Sequence, residues 1–256
     1  MKLAIIGDEH CRRKFTTIYK TIDSSVDEIH CLGDYFSPYK DYDWEEQKNN
    51  FLNILEIAKK DSRVKLYLGN HDTMYFTGDG KSRYDIFHTE EIRNMIKDNS
   101  NLFRLVTMGD DYIISHAGVS QVWFDYKFKE HNSPIELNDI LKESFEKNDY
   151  TKLYRALKFS DCSWDCYGEA EDNSPVWIRP NGLLKSPYEP NKYKYQFVGH
   201  TKTAGLNYFL GSSAEEGIAV IDCGIQLICV DTNDEMSYAV FDTESKEVEP
   251  FELQRI

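Results

Sequence analysis

Short apolar runs recur along the chain, each stopped by glycine or polar residues. They are Leu3–Ile6, Ile29–Leu32, Val64–Leu68, Tyr112–Ser115 and Gln196–Val198. Runs of this length predict buried strands. Between them, helical spacing of apolar positions predicts helices over Arg12–Ile22, Trp44–Lys60 and Asp85–Lys97. Asp43 stands where the second helix needs an N-cap, and Leu52, Leu55, Ala58 and Lys59 follow its spacing. Strands alternating with helices specify an α/β fold. Past Gly217 the pattern changes: Ile218–Ile221, Gln226–Val230, Ser237–Phe241 and Glu247–Phe251 read as consecutive antiparallel strands, with turns at Asp231–Asp234 and Thr243–Lys246.

Residues 119–195 interrupt this rhythm. Pro134–Asn148 is helical in pattern, with Ser133 as its cap. Ser160–Asn173 is polar and acidic. Ser174–Thr203 then turns basic, with Arg179, Lys185, Lys192, Lys194 and Lys202 against Glu189 alone, and its prolines make it irregular. The expectation is a single domain over 1–256, with 119–195 inserted as a lid-like elaboration.

Composition narrows the class. At 41% hydrophobic and 29% charged, the chain has the balance of a folded globular protein rather than a disordered one. No apolar run approaches the roughly 20 residues of a membrane span. Met1–Ile6 carries too short an apolar stretch for a signal peptide. Six cysteines with no secretion signal suit a reducing cytoplasm and free thiols. Cys31, Cys223 and Cys229 sit in apolar runs as small core residues. Cys162 and Cys166 are spaced C-x3-C without the second pair that a structural zinc site needs. The net charge of −14 argues against a broad nucleic-acid or anionic-membrane surface, and no feature specifies an oligomeric state.

The residues just past each apolar run carry the chemistry. The runs lead into Gly7-Asp8-Glu9-His10, Gly33-Asp34, Gly69-Asn70-His71-Asp72, His116-Ala117-Gly118 and Gly199-His200-Thr201. Metal-competent side chains thus gather just past the carboxyl ends of strands, where α/β sheets build their sites. Asp8 and His10, two apart, point the same way in extended chain and can share an ion. Asp34 can bridge two ions through its two oxygens, while Asn70 offers a carbonyl oxygen and His116 and His200 offer imidazoles. Mixed nitrogen and oxygen ligands without thiolate favour manganese, iron or zinc over calcium, and two divalent ions, manganese first with iron, zinc or magnesium as alternatives, are the expectation. A pair of such ions acidifies a water and clamps both oxygens of an in-line displacement. Against Asp8 and Asp34 alone, two divalent ions also leave a positive pocket within the acidic protein.

This ordered set resembles the calcineurin-like metallophosphoesterase superfamily, across residues 7 to 201. The resemblance implies a four-layer αββα sandwich of two mixed sheets flanked by helices, the late strands supplying the second sheet. It implies one ion on Asp8, His10 and Asp34, and a second on Asp34, Asn70, His116 and His200. It further implies a metal-bridging hydroxide as nucleophile and His71 as the general acid. Lys202, in place of a second histidine after His200, together with His116-Ala117-Gly118, is similar to the phosphoprotein-phosphatase-like branch, including its bacterial and phage members. Trp177-Ile178-Arg179 resembles an element of microbial members that supplies a phosphate-binding arginine, and a guanidinium can fork onto two phosphate oxygens. One departure stands out: Ser37 and Pro38 occupy positions that hold aspartate and arginine in that branch, leaving Lys40, Arg12 or Arg13 to compensate.

The expected function is therefore metal-dependent hydrolysis of a phosphomonoester, with a phosphoprotein, small phosphomonoester or nucleotide as substrate. A phosphodiesterase or dinucleoside polyphosphate hydrolase is the alternative. A non-catalytic scaffold is disfavoured because all the motif residues are present. His30, His88 and His131 match no motif and read as structural. Trp123, Tyr126, Tyr167 and Trp177 either pack the insertion's own core or line a nucleoside pocket. No phosphate-binding Gly-x-x-x-x-Gly-Lys-Ser/Thr loop, Gly-x-Gly-x-x-Gly fingerprint or Gly-x-Ser-x-Gly elbow occurs.

Overall fold

In the computed structural model, which describes residues 1–78, 83–161, 165, 167–202, 207–210, 225–231 and 236–253, the chain begins with strands that alternate with helices. β1 (Lys2–Ile6), β2 (Glu28–Cys31), β3 (Val64–Tyr67) and β4 (Phe103–Arg104) pair in parallel in that order. Parallel neighbours need crossover connections, and α1 (Lys14–Tyr19) and α2 (Trp44–Lys60) provide the first two. α2 starts where its cap predicts: Asp43 accepts from Glu46 N at 2.8 Å and the Glu46 side chain returns to Asp43 N at 3.3 Å. α1 is shorter than its periodicity suggests. Cys11 and Arg13 have φ of 60° and 56°, so a right-handed helix cannot begin before Lys14. After α3 (Asn70–Thr77), α4 (Thr89–Lys97) starts four residues late, because the Asp85 carboxylate takes the Phe87 and His88 N–H groups into a local turn.

The second sheet holds β5 (Val106–Met108), β6 (Tyr112–Ser115), β7 (Tyr195–Val198), β8 (Asn207–Leu210) and β9 (Gln226–Cys229), in the order β5-β6-β7-β9-β8. β6, β7 and β9 are parallel, and β5 and β8 are antiparallel edges. β10 (Met236–Asp242) and β11 (Val248–Leu253) form an antiparallel hairpin that lies beside β1, giving the first sheet the order β11-β10-β1-β2-β3-β4. The expectation that the late strands form one antiparallel series and supply the second sheet is thus corrected. Leu227, Ile228, Cys229 and Val230 are all buried, and a strand apolar on both faces belongs in a sheet interior, between β7 and β8. β10 and β11 instead extend the first sheet. The expected strand Ile218–Ile221 lies outside the described residues, as do Cys162, Cys166 and Cys223. Cys31 and Cys229 are buried free thiols.

Strand alternation divides the core into layers. Leu3 and Ile5 of β1 meet Tyr112, Ile114, Phe197, Ile228 and Phe241 between the sheets, while Ala4 and Ile6 face Phe15, Phe51, Ile54 and Leu55 on the helical side. The far face of the second sheet packs Val198, Leu227 and Cys229 against Ile178, Leu183 and Leu184. The fold is two mixed sheets flanked by helices. Between β6 and β7 come α5 (Gln121–Lys127), α6 (Leu137–Lys147), α7 (Thr151–Leu157) and α8 (Pro180–Lys185). Ser133 caps the 3-10 turn leading into α6, and Trp123 is fully buried with its indole N–H on Ala156 O. Tyr126 and Tyr167 are exposed. Among the described residues, no helix is long and apolar enough to cross a membrane.

Candidate metal centre

The parallel strands of both sheets deliver their carboxyl ends to one place. Asp8 follows β1, Asp34 follows β2, Asn70 opens α3 after β3, His116 follows β6 and His200 follows β7. Asp8, His10, Asp34 and His116 are almost fully buried; Asn70 and His71 are 9% exposed. Ligand atoms of Asp8, Asp34 and His116 all lie within 4.8 Å of one another. His10 Nε2 stands 3.7 Å from Asp8 Oδ2 and 3.5 Å from Asp34 Oδ2. His116 Nε2 is 3.6 Å from Asp34 Oδ2 and 2.9 Å from Asn70 Oδ1, and His200 Nδ1 is 3.0 Å from that same Asn70 oxygen. His71 brings its ring centre to 5.2 Å from that of His10. Asp8 and His10 converge through a turn, with His10 at φ 41°, rather than by extended alternation as the sequence suggested.

Backbone geometry sets this arrangement. Asp34 and His200 adopt φ of 55° and 60°, conformations that cost non-glycine residues energy and concentrate at functional sites. The Asp72 carboxylate accepts from Asp34 N, Tyr35 N and Gly69 N at 2.7 to 3.0 Å, tying the loops after β2 and β3 together. His71 N donates to Asp34 Oδ1 at 2.8 Å and His200 N to Asp8 Oδ1 at 2.9 Å, so each acid keeps its other oxygen for the centre. Gly69 leaves no room for a side chain: a Cβ there would sit 2.2 Å from Asp34 Oδ1 and 2.6 Å from the His116 ring. Its φ of −91° suits alanine, so Gly69→Ala is a purely steric test. The expected result is a loss of metal affinity of about 10–100-fold with secondary structure retained. Unchanged affinity in a metal titration would show that the close approach is dispensable.

The donor set calls for a cation. His116 Nδ1 lies 2.7 Å from Leu32 O, and His10 Nδ1 lies 3.0 Å from Ser37 O. A carbonyl can only accept, so both imidazoles carry their proton on Nδ1 and turn a bare Nε2 lone pair inward. Those lone pairs face the oxygens of Asp8, Asp34 and Asn70, which are also acceptors. His200 Nε2 is buried without a hydrogen-bond partner among the described residues. The two acids repel as well. Burial, then the neighbouring Asp8 charge, push the Asp34 carboxyl well above the usual carboxylate range. Burial opposes ionisation of Asp8 too, but His116, His10 and the His200 N–H outweigh it and hold its carboxyl below that range. Burial pushes the His116 and His200 imidazoles down, towards the neutral form that binds metals. These residues fit divalent ions with mixed oxygen and nitrogen ligation.

Arg179 caps α8, with Nε donating to Tyr167 O at 2.6 Å, and its charge is felt at His200. Trp177, two residues earlier, stands 5.2 Å from the His200 ring. Of the cations that the sequence offered in place of an arginine at 38, Arg12 turns away. It donates to Asp231 Oδ1 at 2.8 Å and to Asp8 O, bracing the Asp8 loop from behind. Arg13 lines a separate groove with Lys20, Asn49 and Lys60. Sequence reasoning treated Asp231 as a turn residue. It is a fully buried acid at the end of β9, and the signal was its place directly after an apolar run, like the other five. Arg83 was also missed: its Nη2 lies 3.0 Å from His71 Nε2. His30, between Tyr67 and Glu28, and His88 and His131, paired with Asp85 and Glu136, lie in structural contacts.

A family model for calcineurin-like phosphoesterases matches residues 1–203. Among solved structures the chain is similar to a metallophosphoesterase from Sphaerobacter thermophilus, at 14% identity and a TM-score of 0.51, covering 99% of this chain and 89% of that one. It also aligns with an archaeal phosphodiesterase at 12% identity and a TM-score of 0.42, covering 99% and 100%. At such identity the first likeness speaks for the fold. No curated protein matches the sequence significantly.

Proposed function

The chain belongs to the calcineurin-like phosphoesterase family, and on that basis we propose that it is a metal-dependent phosphomonoesterase of the phosphoprotein-phosphatase-like branch. The observation that carries this is the convergence of oxygen and nitrogen ligand atoms from five strand ends, those of Asp8, Asp34 and His116 within 4.8 Å of one another and those of His116 and His200 within 3.0 Å of the Asn70 oxygen. Asp8, His10 and Asp34 would hold one divalent ion, and Asp34, Asn70, His116 and His200 a second. Bound there, such ions, with manganese the expected metal, would supply an acidified water and charge to neutralise phosphoryl oxygens.

The protein's own groups do the rest. Asp72 and the His200 N–H hold Asp34 and Asp8 in place, so little reorganisation accompanies reaction. Arg179, anchored through Nε, presents its terminal nitrogens to two oxygens of the phosphoryl group. With Arg83 donating to Nε2, His71 keeps its proton on Nδ1, a buried atom with no hydrogen-bond partner among the described residues. That N–H is the group that meets the departing oxygen. The reading is tested by comparing 4-nitrophenyl phosphate with bis(4-nitrophenyl) phosphate in excess manganese. Higher kcat/KM on the monoester is expected; preference for the diester overturns the monoesterase assignment.

A further inference from the structure

Two cations gather on one aromatic ring beside His71. Tyr39 lies in the loop after β2, half-exposed, with its ring edge-on to His10 at 4.6 Å. The Arg83 guanidinium carbon is 3.7 Å from the ring centre, and the Lys202 ammonium is 3.0 Å from it. Arg83 Nη1 donates to Ser37 O at 2.7 Å, Nη2 reaches His71 Nε2 at 3.0 Å, and Ser37 Oγ donates back to Arg83 O at 3.0 Å. The guanidinium therefore gives its donors to an imidazole and a carbonyl. Among the described residues it forms no ion pair with a carboxylate. Stacking on tyrosine orders it without neutralising it. In a protein of net charge −14, two cations on one ring at the edge of a buried acidic centre form a local positive wall.

The wall lies on the His71 side. Arg83 bonds the Nε2 edge of His71, and Tyr39 stands edge-on to His10, so the two cations border the rim of the proposed centre. We propose that Arg83 and Lys202, held on Tyr39, form a subsite for a negatively charged leaving group, specifically a second phosphate. The proposal rests on the hydrolase reading and narrows its substrate to phosphoryl groups carried on another phosphate, as in a nucleoside diphosphate. In the step, a water oxygen bonds to phosphorus while the bond from phosphorus to the bridging oxygen breaks. The electron pair stays on the leaving phosphate, and the water's proton passes to solvent. The added negative charge then falls where Arg83 and Lys202 stand. Arginine can fork onto two of its oxygens, and lysine adds a point charge.

The test is the ratio of kcat/KM for phosphate release from ADP to that for 4-nitrophenyl phosphate, with manganese in excess of nucleotide. Wild type is expected to accept both. Arg83→Met keeps apolar contact with Tyr39 and removes the charge. It is expected to lower both rates through the lost contact with His71, and to lower the ratio by at least about ten-fold more, the scale of one charge-assisted hydrogen bond. Lys202→Met is expected to lower the ratio in the same direction, and Arg83→Lys to restore part of it. An equal fall on both substrates, or a wild type that hydrolyses the aryl ester and rejects ADP, overturns the subsite and leaves the hydrolase reading standing. If Arg83→Met does not fold, an unchanged ratio in both Lys202→Met and Arg83→Lys has the same force. A wild type inactive on both substrates removes the hydrolase reading, and the subsite with it.

Discussion

Asp34→Asn is expected to abolish hydrolysis, by at least about 10³-fold, and to strip the protein of metal. Asp34 is the acid common to both proposed ion positions, with Oδ2 at 3.5 Å from His10 Nε2 and 3.6 Å from His116 Nε2. The substitution preserves shape and removes the charge. In the absence of an ion, burial and the charge of Asp8 hold this carboxyl well above its usual range, which is an energetic demand for a neighbouring cation. The asparagine protein should therefore fold at least as well without metal as wild type does, while losing its affinity for manganese. Elemental analysis after dialysis, with a thermal melt in chelator, reads both quantities. Full metal content in Asp34→Asn would remove Asp34 from the centre.

His71→Ala is expected to lower kcat by about 10²–10⁴-fold with both ions retained. His71 comes near the cluster yet has no place in the donor set: its Nε2 is 3.0 Å from Arg83 Nη2, and its backbone N–H holds Asp34. Burial first, then the neighbouring His10 and Arg83, hold its imidazole down at about 2 and hence neutral, so Nδ1–H is its available donor. The loss should be largest for poor leaving groups and small for 4-nitrophenolate, because a donor matters most where the departing oxygen is most basic. An equal loss across a series of aryl phosphates would show that His71 acts on something other than the leaving group. Metal loss in His71→Ala would make it a structural part of the centre.

Those two residues were legible in the sequence because each stands directly behind a short apolar run. A strand and the glycine-flanked residue after it form a one-dimensional pattern, and parallel pairing of β1, β2 and β3 turns sequence order into spatial adjacency. The capping of α2 was legible for the same local reason. Pairings across the chain were not. Arg12 meets Asp231 over a separation of 219 residues, and Arg83 meets Tyr39, Ser37 and His71 from a different part of the chain. The sheet assignment of the late strands failed on the same ground. β9 and β10 look alike as apolar runs and both end up inside a sheet, so only their long-range pairing, β9 with β7 and β8 and β10 with β1, tells the sheets apart. The left-handed turn at His10 was hidden because nothing in Asp8-Glu9-His10 marks it. Glu9 forces it from inside, accepting from Lys14 N, Phe15 N and Asn50 Nδ2.

The central claim is that the five strand ends form a two-ion centre that hydrolyses a phosphoester. Native mass spectrometry of metal-stripped protein titrated with manganese, with 4-nitrophenyl phosphate turnover followed in parallel, tests it most directly. The expected result is two ions per chain, with turnover rising as the second ion binds. A folded chain that takes up no manganese, or takes up two ions and releases no phosphate from any phosphoester, would contradict it.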